Sequence, residues 1–174
     1  MDILVNGYMY PFVDTAVLQA TLPHLSMLSL FTYGITAEGE LIQLDEESLI
    51  EAARANGVVP LMVLAAMNEA GTFDSQLAST VLNNPEARNR LVENILNNIR
   101  TKGLGGVDFD FEFLFAEDRE AYASFVEQTR QRLNPEGYMV AVAIAPKTYA
   151  EQPGLLYEGH DYALLGEAAN LSLL

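Results

Sequence analysis

An incomplete (β/α)8 barrel, of the α/β class, is the fold this sequence predicts, and three observations carry it. Short β-rich runs alternate with helical stretches along the chain, which implies parallel strands joined by crossover helices, because parallel neighbours cannot be linked by a tight turn. The segment GGVDFDFEFLF, 105–115, sets Asp108, Asp110 and Glu112 at every second position among valine, phenylalanine and leucine. The chain has 174 residues, whereas a whole barrel takes about 250, so the expectation is about five βα units and the start of a sixth strand.

The elements follow in order. DILVNGYMY (2–10) reads as the first strand and LSMLSLFTYGI (25–35) as the second. DEESLIEAARANG (45–57) reads as a helix, with Asp45 as its cap, Leu49, Ile50 and Ala53 on one face and Gly57 as its stop. VVPLMVLAA (58–66) is the third strand. The longest helix is capped by Asn84 and has Pro85 in its first turn. Leu91, Val92, Ile95, Leu96 and Ile99 form its apolar stripe before Arg100, Lys102 and Gly103 close it. GGVDFDFEF (105–113) is the fourth strand. Tyr122, Phe125, Val126, Thr129 and Leu133 mark the helix that follows, and YMVAVAIAP (138–146) is the fifth strand, apolar almost throughout. A short helix near YALLGEAA (162–169) leads to NLSLL (170–174), which starts like a sixth strand.

The acids of the fourth strand separate the two architectures compatible with this alternation, a doubly wound open sheet and a barrel. Positions two apart share a face, so Asp108, Asp110 and Glu112 point one way and Val107, Phe109, Phe111 and Phe113 the other. In an open sheet covered by helices on both faces, each unpaired carboxylate would be buried at a cost of several kcal/mol. A barrel interior that opens into a cleft at the carboxyl ends of its strands is the cheaper place. Alternating acids also suit a solvated face of an antiparallel sheet, but here helices separate the strands and the next strand has no polar face. A calcium site is a third reading, although hard cations want more oxygen ligands than one strand face directs at a point.

Composition excludes several function classes. Asp plus Glu number 24 against 9 Lys plus Arg, a formal charge of -15, so nucleic acid and anionic membrane surfaces are repelled as partners. No run reaches the roughly 18 apolar residues of a membrane span. No signal peptide is visible, because MDILVNGYMY lacks a basic segment and a small-residue cleavage site. There is no cysteine, and His24 and His160 have no second ligand at metal spacing. Neither a metal nor another cofactor is expected. KGLGG (102–106) precedes a strand instead of following one, which is the wrong geometry for a phosphate loop. Asn170-Leu171-Ser172 matches a glycosylation acceptor but falls in the predicted last strand.

At Gly105-Gly106-Val107-Asp108-Phe109-Asp110-Phe111-Glu112 the sequence resembles glycoside hydrolase family 18, the chitinase-like (βα)8 barrels, whose fourth strand carries DGxDxDxE. Gly105 departs from the pattern, which has an Asp there. VNGYMYPF, LSLFTYGITAEGEL and PLMVLAAMNE agree with the first three strands. The TYGITAEG segment and the Pro146-Lys147 step resemble the branch of bacterial spore-cortex and cell-wall N-acetylglucosaminidases.

The resemblance implies a retaining glycosidase acting on β-1,4 bonds of N-acetylglucosamine-containing polysaccharide, peptidoglycan or chitin, in which the substrate's own 2-acetamido group is the nucleophile. It implies Glu112 as general acid, Asp110 as the group that orients the acetamido carbonyl, and Asp108 as the deeper partner that shares a proton with Asp110. Three like-facing carboxylates cannot all ionise easily, so at least one pKa is expected to rise. Tyr10 and Tyr33, near the ends of the first and second strands, are the candidates to stack on a sugar, or else packing aromatics. Lys147 follows the fifth strand and either meets substrate or faces solvent.

The family's sixth-strand tyrosine and eighth-strand tryptophan would lie beyond Leu174. The resemblance therefore implies the N-terminal part of one catalytic barrel, 1–174, inactive alone and self-associating through its open side. By resemblance its location is extracellular, cell wall or spore. The alternative is a non-catalytic carbohydrate-binding module.

Overall fold

The computed structural model describes residues 3–174. Met1 and Asp2, where the first predicted strand begins, lie outside the described residues. The strands are β1 (Asn6–Met9), β2 (Met27–Ile35), β3 (Leu41–Ile42), β4 (Val59–Leu64), β5 (Gly106–Phe109), β6 (Met139–Ala143) and β7 (Leu171–Leu173). The helices are α1 (Thr15–Thr21), α2 (Glu47–Ala55), α3 (Ser75–Leu82), α4 (Pro85–Lys102), α5 (Arg119–Leu133) and α6 (Tyr162–Ala168).

Six strands pair in the order β1-β2-β4-β5-β6-β7, every neighbour parallel, while β3 folds back antiparallel onto the end of β2. Five of the six residues of β4 are buried, which is why its sequence shows no alternation: both faces are covered. The sheet curls. Tyr8 of β1 reaches Asp108 of β5 at 2.7 Å although β2 and β4 lie between them, a contact only a curved sheet allows. The result is a half-barrel with helices outside, and among the described residues β1 and β7 each have one neighbour. Ile3, Leu4, Val5 and Phe12 are exposed along the β1 side.

The helix predicted at 84–103 forms as α4. The Asn84 side chain accepts from the N–H groups of Glu86 and Ala87, Pro85 takes the first position, and Gly103 ends the helix at φ 71°. Its predicted stripe, Leu91, Val92, Ile95, Leu96 and Ile99, is buried, as are Tyr122, Phe125, Val126, Thr129 and Leu133 of α5. Gly106 is required at the start of β5, because a Cβ there would run into the Met139 carbonyl of β6.

Two readings are corrected. The 105–113 strand pairs only through Phe109, since β5 and β6 part beyond Phe109 and Val142. Helix α2 starts after Glu46, not at an Asp45 cap, and Glu46 makes no capping bond because its carboxylate turns inward to Lys102. Helices α1 and α3, which the sequence reading leaves unassigned, are started by Asp14 and Asp74, whose side chains accept from the first-turn N–H groups.

Candidate active site

The three acids stand in a row along the inner face of β5 and its continuation, and they differ in depth. Asp108 is buried, Asp110 and Glu112 partly so. The Oδ2 of Asp108 accepts from the Tyr8 phenol at 2.7 Å and from the Ser29 hydroxyl at 2.8 Å. Tyr8 and Ser29 sit opposite each other in the β1–β2 register, and Ser29 in turn accepts from the Asn6 amide at 2.9 Å. The other oxygen, Oδ1, has no protein partner among the described residues. Burial raises the Asp108 pKa, while the two donors pull against it.

Asp110 lies just past the paired part of β5, and its N–H still donates to the Leu64 carbonyl of β4 at 2.9 Å. Burial, reinforced by the like charges of Glu112 and Asp108, pushes its carboxyl up to about 7. Glu112 is nearest the mouth, and burial raises it as well. Asp110, pushed up to about 7, can hold or release a proton near neutrality, and the upward shift at Glu112 favours the acid form that a proton donor needs.

The other side of the segment fixes its orientation. Val107, Phe109 and Phe111 are fully buried. The Phe111 ring stacks on Tyr122 of α5 at 5.3 Å, and Phe109 meets Phe125 edge-on at 5.2 Å. The alternation stops at Phe113, which turns through φ 56°, is exposed and packs against Phe73 at 5.8 Å.

Tyr10 lies past the carboxyl end of β1, the end at which the acids emerge. It is half exposed, stacked on Phe12 at 5.0 Å and edge-on to Phe31 at 5.0 Å, so these rings form an aromatic surface there. Tyr33 is a correction: it cannot stack on a sugar, because it is fully buried in the helical layer. Its hydroxyl donates to Glu46, and the Lys102 ammonium sits 2.9 Å from that hydroxyl and 4.9 Å over the ring. The register of β2 against β4 shifts between Leu30 and Tyr33, so Tyr33, although near the end of the strand, does not share the inward face of Ser29. Lys147 donates to the His160 carbonyl at 2.5 Å and lines, with Arg119, Tyr149 and Tyr162, a cavity of about 460 Å³ between the start of α5 and the 147–161 loop.

Sequence reasoning missed Tyr8, Ser29 and His160. Tyr8 shares strand parity with Tyr10, and Ser29 interrupts the apolar run MLSLF. Both are visible signals once β1 and β2 are known to face β5.

The charge of Asp110 has a consequence for stability. Its folded pKa, about 7, lies above the ordinary value of 3.8. Its contribution to stability is therefore complete below the unfolded value and is lost as pH rises through about 7. Asp110→Asn is expected to be more stable than the wild type in urea at pH 8, with the difference shrinking toward pH 4. Equal urea midpoints at pH 8 would show that the carboxylate is well solvated.

Residues 63–169 match the family described as Glycosyl hydrolases family 18. A cortical fragment-lytic enzyme of Bacillus subtilis (strain 168) is 31% identical over 180 residues, covering 99% of this chain and 41% of the relative. The spore cortex-lytic enzyme SleL of Bacillus megaterium QM B1551 superposes with a TM-score of 0.90 at 31% identity, over 96% of this chain and 40% of that one. A class V chitinase from Pseudomonas fluorescens Pf-5 gives 0.90 at 27% identity, over 97% and 52%. The chain thus spans about two fifths of the length of the curated relatives it matches.

Proposed function

The chain belongs to family 18 of the glycosyl hydrolases, and from that membership we propose that it supplies the acid-bearing part of a barrel that hydrolyses β-1,4 bonds of N-acetylglucosamine-containing glycans with retention of configuration. The observation that carries the reading is the row of three inward acids, Asp108 buried and held by Tyr8 and Ser29, with Asp110 and Glu112 following it toward the mouth. The cortical fragment-lytic and chitinase names of its relatives favour peptidoglycan or chitin as the glycan.

In this reading Glu112 gives its proton to the glycosidic oxygen as the bond to the anomeric carbon breaks. The acetamido carbonyl oxygen of the same sugar bonds to that carbon, giving a cyclic oxazolinium ion. Water then attacks from the side of the departed group, and the Glu112 carboxylate takes its proton, so two displacements restore the configuration. Asp110 aligns the acetamido group and is charged or neutral at little cost near pH 7. Asp108, held by Tyr8 and Ser29, is the buried neighbour whose charge tunes Asp110. Tyr10 offers its ring to a sugar face.

The remaining strands of the barrel are needed to close the site, so the chain alone is expected to turn over no substrate, and the test belongs to the full-length protein. Asp110→Asn there should slow hydrolysis of an acetamido sugar by about 10²-fold or more, measured on a fluorogenic GlcNAc oligomer. Unchanged turnover would remove substrate assistance. NMR of the first product formed should show the anomer of the substrate; the inverted anomer would reject the mechanism. Sugar binding without any turnover would favour a carbohydrate-binding module instead.

A further inference from the structure

A rung is missing between the acid-bearing segment and β6, and a histidine stands in its place. The Gly105 carbonyl accepts from the Met139 N–H at 3.0 Å, and paired residues run in step from Gly106–Met139 to Phe109–Val142. A parallel ladder of this kind repeats every second residue, so the Phe111 carbonyl and the Ala145 N–H, at the same offset, are due to bond farther along. They do not meet. The Ala145 N–H donates to Nδ1 of His160 at 2.9 Å, and Nε2 of the same ring lies 2.8 Å from the Phe111 carbonyl oxygen.

A ring that accepts at Nδ1 and donates from Nε2 is neutral, with one defined tautomer. His160 is 2% exposed and lies against Tyr122, ring centroids 6.0 Å apart. Burial holds the imidazole below its ordinary pKa against the pull of the Phe111 carbonyl, helped by the charge of Lys147, which binds the His160 carbonyl. Phe111 and Ala145 are themselves buried, so without the ring two backbone groups would lose their partners, an expensive arrangement.

We propose that His160 is a positioning residue, whose imidazole replaces a sheet rung and holds the backbone between Asp110 and Glu112 at a fixed distance from β6. A direct bond would draw the two strands together where the mouth has to widen. A ring two hydrogen bonds wide keeps them apart and still rigid. Phe111 is the residue between the two acids, so the carbonyl that His160 holds sets the direction in which both carboxyls leave the chain. This assignment rests on reading those acids as the catalytic pair.

The test needs no hydrolysis and uses the chain itself. Nitrogen-15 NMR at pH 7 should find the His160 proton on Nε2 and none on Nδ1. His160→Phe keeps a ring but loses both bonds, and carboxyl carbon-13 titration should then find the Asp110 midpoint moved down toward its ordinary value by about one unit or more as the segment opens to water. His160→Gln, which again offers a donor and an acceptor, should restore the wild-type midpoint. A proton on Nδ1, or an unmoved Asp110 in folded His160→Phe, would overturn the proposal. If His160→Phe does not fold, the wild-type tautomer and His160→Gln decide it, the proposal falling if the glutamine variant loses the raised Asp110 midpoint. A protein that hydrolyses no glycan would sink the proposed activity and leave these readouts unchanged.

Discussion

Glu112→Gln is expected to lower turnover of a GlcNAc oligomer by about 10²–10⁴-fold in the full-length protein while leaving sugar affinity nearly unchanged, because a positioned proton donor typically contributes that much. The substitution suits the site. Glu112 is partly exposed, so glutamine, of nearly the same shape, removes the proton and little else. Its raised pKa keeps more of the acid form near neutrality than a solvated glutamate would have. Steady-state kinetics beside calorimetric binding of the same oligomer measure both halves. Turnover within a few-fold of the wild type would move the acid role elsewhere, and a lost affinity would make Glu112 a binding group.

Lys102→Met is expected to destabilise the fold by about 3 kcal/mol, at the low end for breaking a buried ion pair, because Lys102 keeps some solvent. The Glu46 side chain is 0% exposed and Lys102 27% exposed, and their charged atoms stand 2.8 Å apart. Lys102 also donates to the Tyr33 hydroxyl and to the Leu44 carbonyl at 3.2 Å. Its removal leaves a buried carboxylate whose second oxygen, Oε2, already has no partner among the described residues. Adding Glu46→Gln should recover much of the loss, since the penalty lies in the stranded charge. Urea denaturation of the single and double variants checks both, and a single variant within 0.5 kcal/mol of the wild type, about the scatter of an ordinary surface change, would show the pair to be solvated.

Lys102 also shows where sequence reading reaches its limit. Helical stripes such as Leu91 to Ile99 were legible because burial on one side of a helix leaves a period of 3.6 residues that nothing else imitates. The acids at 108, 110 and 112 were legible for the same kind of reason: charge in an apolar strand costs too much to be accidental. Tyr33 was not, because one irregularity in the β2 register reverses what parity predicts. Helix α1 is two turns long and α3 is SQLASTVL, too short and too polar to announce a face, although both carry an aspartate cap. Tyr8, Ser29 and His160 belong to contacts that join residues 100, 79 and 49 positions apart. Local patterns hold no information about such partners until the topology is known.

The hydrogen bond from Tyr8 to Asp108 also orders events during synthesis. It closes a span of 100 residues, and closing so long a loop costs entropy that only later contacts return. While the ribosome is still making α4, the phenol of β1 has no carboxylate to find, and the floor of the acid row does not exist. Chain emergence runs from the N-terminus at about 5–20 residues per second, so about 5–20 seconds separate the appearance of Tyr8 from that of Asp108. Slow translation through 85–110 lengthens the time for which the Tyr8 phenol has no carboxylate to bond.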